Sequence, residues 1–144
     1  MRRTPRTGAT LGTCVMAMLA VVAVMTAFWV SINLHNGKIN GWMALPTALD
    51  AVLLLRLAGT RRGISGQIMA TLTILSAAGI AVWITVGTRI GRVMGMSPSD
   101  SLQRMDPMLA FEVTREAATT WDWLWLLLAL GLCLWLLRDN RSRR

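Results

Sequence analysis

Four apolar stretches alternate with charged connectors along this 144-residue chain, with arginines crowding one set of ends and tryptophans the other. A soluble core has no reason to sort Arg from Trp end to end, whereas a bilayer does, because cytoplasmic loops retain cations and interfaces favour indole rings. The pattern therefore predicts an integral membrane protein.

A hydrocarbon core needs about 20 apolar residues of helix. The first stretch, about 11–32, lies between Arg6 and His35 with no charge inside it. The second, about 42–59, carries Asp50 near its middle and Arg56 near its end. The third, about 64–87, is uncharged between Arg62 and Arg89, and the fourth, about 121–137, is almost solid Leu and Trp. The expected fold is all-α: four transmembrane helices in a single domain over 1–144. A short amphipathic helical segment at about 97–119 joins helices three and four.

Charge sets the expected orientation, a bacterial inner membrane with both termini cytoplasmic. The inner ends then hold Arg2, Arg3, Arg6, Arg56, Arg61, Arg62, Arg138, Arg141, Arg143 and Arg144 against Asp139. Outside, Lys38, Arg89, Arg92, Arg104 and Arg115 are balanced by Asp100, Asp106, Glu112, Glu116 and Asp122, so nearly all of the net +8 falls on one face. Trp29, Trp42, Trp83, Trp121, Trp123 and Trp125 fall at outer ends and only Trp135 at an inner end. Such a basic excess marks topology and attraction to anionic headgroups. No soluble basic domain is present to bind nucleic acid.

The first stretch exceeds the 7–15-residue core of a signal peptide and has no Ala-x-Ala, so it is expected to stay in the mature protein. In Leu11-Gly12-Thr13-Cys14 the apolar run follows the cysteine, which excludes a lipoprotein box.

The chemistry-bearing residues are few. Cys14 and Cys133 are expected as small apolar packers, and no Cys-x-x-Cys occurs. His35 is the sole histidine, so no metal cluster, cofactor site or catalytic set is expected. No Gly-x-Ser-x-Gly, His-Glu-x-x-His or phosphate-cradling loop is found.

Asp50 is the candidate functional residue, because an intramembrane carboxyl normally faces a bundle interior or a water-filled cavity. Thr26, Thr71, Thr73 and Ser76 are its expected hydrogen-bond partners if its role is structural. Arg56, six residues on, lies on a different helical face and is expected to snorkel to headgroups. Pro46, one turn before Asp50, is expected to free a backbone carbonyl inside the helix.

Small-xxx-small patterns mark candidate close contacts between helices: Ala23-x-x-x-Ala27, Gly66-x-x-x-Ala70, Ala77-x-x-x-Ala81, and Gly87-x-x-x-Gly91-x-x-x-Gly95. In the outer segment, Ser97-Pro98-Ser99-Asp100 and Asp106-Pro107 read as helix starts. Leu109, Val113 and Ala117 make an apolar face there, opposite Glu112, Arg115 and Glu116. Thr120 is expected to cap the fourth helix, with Asp122 in its first turn.

In size and span number the chain resembles small multidrug exporters, whose essential carboxylate lies in the first helix. The first stretch here has no acid, so the resemblance stops at architecture. The expected function is a non-enzymatic accessory or assembly component that contacts another membrane protein. A small ion-coupled or small-solute transporter using Asp50, homodimeric in the lipid bilayer, is the alternative. Copper handling through Met94, Met96, Met105 and Met108 beside His35 is the remote one.

Overall fold

The structure is a computed structural model describing residues 11–59 and 63–138. The expectations placed on Arg2, Arg3, Arg6, Arg61, Arg62, Asp139, Arg141, Arg143 and Arg144 lie outside the described residues. The fold is 87% helical, with no strand among the described residues. Its order is α1 (Leu11–Asn36), a 3-10 turn (Gly41–Met43), α2 (Ala44–Leu57), α3 (Ile64–Met94), α4 (Pro98–Arg104), α5 (Pro107–Ala117) and α6 (Thr120–Leu136).

Two helices, α1 and α3, are long and apolar enough to cross a membrane. A third candidate exists only if α5 and α6, bent by 103°, count as one broken span. Neither of the other two predicted spans reaches full length alone. The 14 residues of α2 cover about 21 Å and the 17 of α6 about 25 Å, against a hydrocarbon core of about 30 Å. The shortfall in α2 arises because 41–43 form a separate 3-10 turn and the helix ends at Leu57, before Gly59 at φ 83°.

Hydrogen bonds between helices fix their sense. The Thr26 hydroxyl donates to Ala77 O at 3.4 Å and Asn33 Nδ2 to Thr85 Oγ1 at 3.3 Å, so α1 and α3 run parallel. Gly41 N donates to Asp122 Oδ1 at 2.8 Å and Arg56 Nη2 to Leu136 O at 2.9 Å, so α2 and α6 also run parallel. Gln67 Nε2 donates to Leu134 O and Gly63 N to Leu137 O, which sets α3 against α6. Two parallel pairs thus oppose each other. The central helices are α2 and α3, with α1 and α6 each packed on both.

Small residues line much of the contact between the helices, with Leu55, Ile74 and Val21 buried among them. The inward stripes are Ala44, Ala48 and Ala51 on α2 and Gly66, Ala70, Ala77 and Ala81 on α3, all buried. Large residues point outward, among them Leu19 and Phe28 on α1, Leu53 on α2, Leu72 on α3 and Leu127 on α6. A soluble bundle buries its large side chains, whereas helices in lipid gain most by bringing backbones close through small residues. Trp29 departs from the interfacial placement expected of it: it is 2% exposed and belongs to the core.

Helix α3 continues past its predicted end, 87, through Arg89 and Arg92 to Met94. It stops at Gly95, where φ 68° suits glycine and Met96 N donates to Gly91 O at 2.9 Å. Ser97 caps α4 by accepting from Asp100 N, and Asp106 caps α5 by accepting from Met108 N. Thr119, one residue before the Thr120 expected, caps α6. Its N–H and hydroxyl both donate to Asp122 Oδ2, at 2.8 and 2.7 Å, and this pairing sets the helix start.

Candidate functional site

The polar chemistry gathers at the two ends of the bundle. At one end Asn33, fully buried in the last turns of α1, sits at the centre of a network. Its Oδ1 accepts from Asn40 N at 2.9 Å and Asn40 Nδ2 at 3.0 Å, while its Nδ2 donates to Thr85. Arg89 Nη2 donates to Asn33 O at 3.0 Å, satisfying a carbonyl that the end of α1 leaves open. One residue beyond Asn40, the Gly41 amide reaches Asp122. Four elements are therefore locked together: α1, the 3-10 turn, α3 and α6.

At the opposite end the carbonyls of α6 that lack intrahelical partners meet three donors. Arg56 reaches Leu136 O, Gln67 reaches Leu134 O at 3.0 Å, and Gly63 N reaches Leu137 O at 3.2 Å. A guanidinium at a helix C-terminus also complements the dipole. Arg56, expected to reach headgroups, is exposed and donates to the end of a neighbouring helix.

Asp50 belongs to neither end. It is half-buried at the middle of α2, and among the described residues it makes no hydrogen bond and no ion pair. Of the expected partners, Thr26 donates to Ala77 O and Thr73 to Met69 O, and among the described residues neither Thr71 nor Ser76 bonds Asp50. Six residues at about 100° each put Asp50 and Arg56 about 120° apart. Arg56 faces α6, so Asp50 lies on another flank, between buried Thr47 and exposed Leu53 and Leu57. Pro46 does not break the helix before it. It is the third residue of α2, in the first turn, where backbone donors lack intrahelical partners anyway.

The small-residue faces divide in use. Ala77 and Ala81 are fully buried inside the bundle. Gly87 and Gly91 seat α4: a Cβ at Gly87 would lie 2.5 Å from Leu102 Cδ2, and one at Gly91 3.0 Å from Ser101 Cβ. The Ser101 hydroxyl donates to Gly87 O at 2.6 Å and fixes that seat. Gly95 serves as the helix stop. By contrast Ala23 and Ala27 on α1 remain exposed, as does Ser31 one turn on.

Cys14 and Cys133 are buried, and no disulfide joins them. Met105 is core filler, its Cε 3.5 Å from where a Gly87 Cβ would stand, while Met94 and Met108 are exposed. Among the described residues no three of His, Cys, Asp and Glu converge as metal ligands. The indole Nε1 of Trp29 is buried without an acceptor.

Sequence reasoning missed Asn33, Asn40, Gly41 and the Ala44-x-x-x-Ala48-x-x-Ala51 stripe. A lone Asn at the end of an uncharged run was the available signal for Asn33, and small-residue spacing was the signal for the alanines. Comparison with protein families, curated proteins and solved structures finds no match to the chain.

Proposed function

We propose that the chain is a polytopic protein of the bacterial inner membrane, an accessory or assembly component that contacts another membrane protein through helix faces. In this reading α1, α2 with its leading turn, α3 and α6 each cross the bilayer, and both termini are cytoplasmic. Support for four crossings comes from the opposed senses of the two parallel pairs, since successive crossings must alternate. The two short helices are tied to each other at both ends, and α6 is tied to the long α3 at one of them.

One observation carries the contact role: the outward small-residue face of α1, Ala23, Ala27 and Ser31, is exposed, with no helix among the described residues against it. Every large apolar side chain beside it meets lipid equally well, but small residues gain most where another backbone approaches. Isolation from native membranes in mild detergent should yield a stoichiometric membrane-protein partner, and Ala27→Leu should release it. Recovery of the unmodified chain alone and monomeric contradicts the role; a dimer released by Ala27→Leu makes the partner a second copy.

Asp50 favours a second reading, ion-coupled or small-solute transport. A carboxyl at mid-span costs about 2.5–3.5 kcal/mol on insertion scales, and among the described residues no donor offsets it. A flux in reconstituted vesicles that disappears in Asp50→Asn is the expected result for a transporter. An unchanged flux removes Asp50 from the mechanism. Copper handling draws less support, because Met105 is committed to the core.

A further inference from the structure

The short helix α5 carries two exposed stripes of opposite chemistry. Ala110, Val113 and Thr114 face the fold, where Ala110 packs with Val86 and Met105. On one flank Met108, Phe111 and Arg115 recur at i, i+3 and i+7, all exposed. On the other, Leu109, Glu112 and Glu116 recur with the same spacing, also exposed. The apolar face predicted from Leu109, Val113 and Ala117 is therefore not the buried one: Leu109 and Ala117 are exposed and Ala110 takes the inward position.

The placement of α5 gives the stripes a meaning. It turns by 103° into α6. If α6 crosses the bilayer, α5 runs nearly in its plane. It packs on α3 around Val86 and Ile90, beside the Thr85 and Arg89 that bond Asn33, and it leads directly into Trp121, Trp123 and Trp125, all exposed. Indole rings of that kind mark the interface between acyl chains and headgroups.

We propose that α5 is an in-plane interfacial helix whose Met108–Phe111–Arg115 flank rests on the lipid, with Phe111 and Met108 among the upper acyl carbons and Arg115 on a headgroup phosphate. The acidic flank, Glu112 and Glu116, faces water. Charge decides between the flanks, since a phosphate attracts the guanidinium and repels the two carboxylates. Trp121, exposed at the start of α6, follows this helix and suits the same interfacial depth. The inference rests on the membrane reading above.

Spin labels on cysteines introduced singly at 111, 116 and 127, in the full chain reconstituted in phosphatidylcholine–phosphatidylglycerol vesicles, test it. The chain without an added cysteine serves as the labelling control, since Cys14 and Cys133 are buried. Position 127, exposed on α6, reports whether the bundle is in the membrane at all. The expected result is a label at 111 relaxed more by oxygen than by a water-soluble nickel chelate, as at 127, and the reverse at 116. If 127 reports lipid while 111 is as open to the chelate as 116, the interfacial seat is overturned and the membrane reading stands. If 127 is itself open to the chelate, the membrane reading fails and this inference with it. As a measurement independent of labelling, Arg115→Glu should lower protection of the α5 amides from hydrogen exchange in vesicles but not in detergent; equal effects in both overturn the lipid contact.

Discussion

Gly41 and Asp122, 81 positions apart, hold the starts of α2 and α6 together. The Gly41 amide donates to Asp122 Oδ1 at 2.8 Å, and a Cβ at Gly41 would overlap the Asp122 backbone. The glycine is required here by close approach and not by its φ.

Gly41→Ala should therefore destabilise the protein by about 1–3 kcal/mol, the usual range for forced overpacking. Gly131→Ala, where nothing lies within 4 Å of the new methyl, should be neutral or gain up to about 1 kcal/mol from helix propensity. Thermal unfolding of both variants in the same detergent checks the contrast.

Asn33→Leu strands the Asn40 amide and removes a donor to Thr85. Each buried polar group left unpaired costs about 1–3 kcal/mol. The melting temperature should fall, and hydrogen exchange should quicken at Asn40 and not in the middle of α3.

At the opposite end, Arg56→Met should cost about 0.3–1 kcal/mol, the scale of a cation at a helix C-terminus, because Arg56 is exposed. Arg56→Lys should retain part of it. Chemical unfolding followed by tryptophan fluorescence, with Trp135 in the last turn of α6, reads this loss.

Gly87→Leu should unseat α4, since Leu102 occupies the space and Ser101 bonds the Gly87 carbonyl. Trypsin cleavage at Arg104, the last residue of α4, should accelerate and leave an N-terminal fragment that ends with α4. Unchanged cleavage would show that α4 is not held by this seat.

The apolar segments and the caps of α4 and α5 were readable because each depends on neighbours in sequence: an uncharged run, or Ser-Pro and Asp-Pro before an acid or an apolar turn. Span length at α2 was not, because the break between the 3-10 turn and the helix at 43–44 leaves no mark in hydropathy. Arg56 and Arg89 carry charges that suggest boundaries, yet each donates to a carbonyl of another helix, an arrangement that exists only after packing. Trp29 carries the same interfacial signal as Trp121, and only tertiary contact separates the buried ring from the exposed one. Asp50 could be singled out as an unusual residue, but its lack of a partner required knowing where Thr26 and Thr73 donate.

Whether the bundle closes without the mid-helix carboxylate is tested most directly by melting Asp50→Asn beside the unmodified protein in detergent at neutral pH. The substitution removes the charge and keeps the shape. With no partner for Asp50 among the described residues, the variant should be as stable as the parent or more stable, which leaves Asp50 for a contact or an ion beyond the bundle. A clear drop in melting temperature would contradict this and make Asp50 a strut between helices.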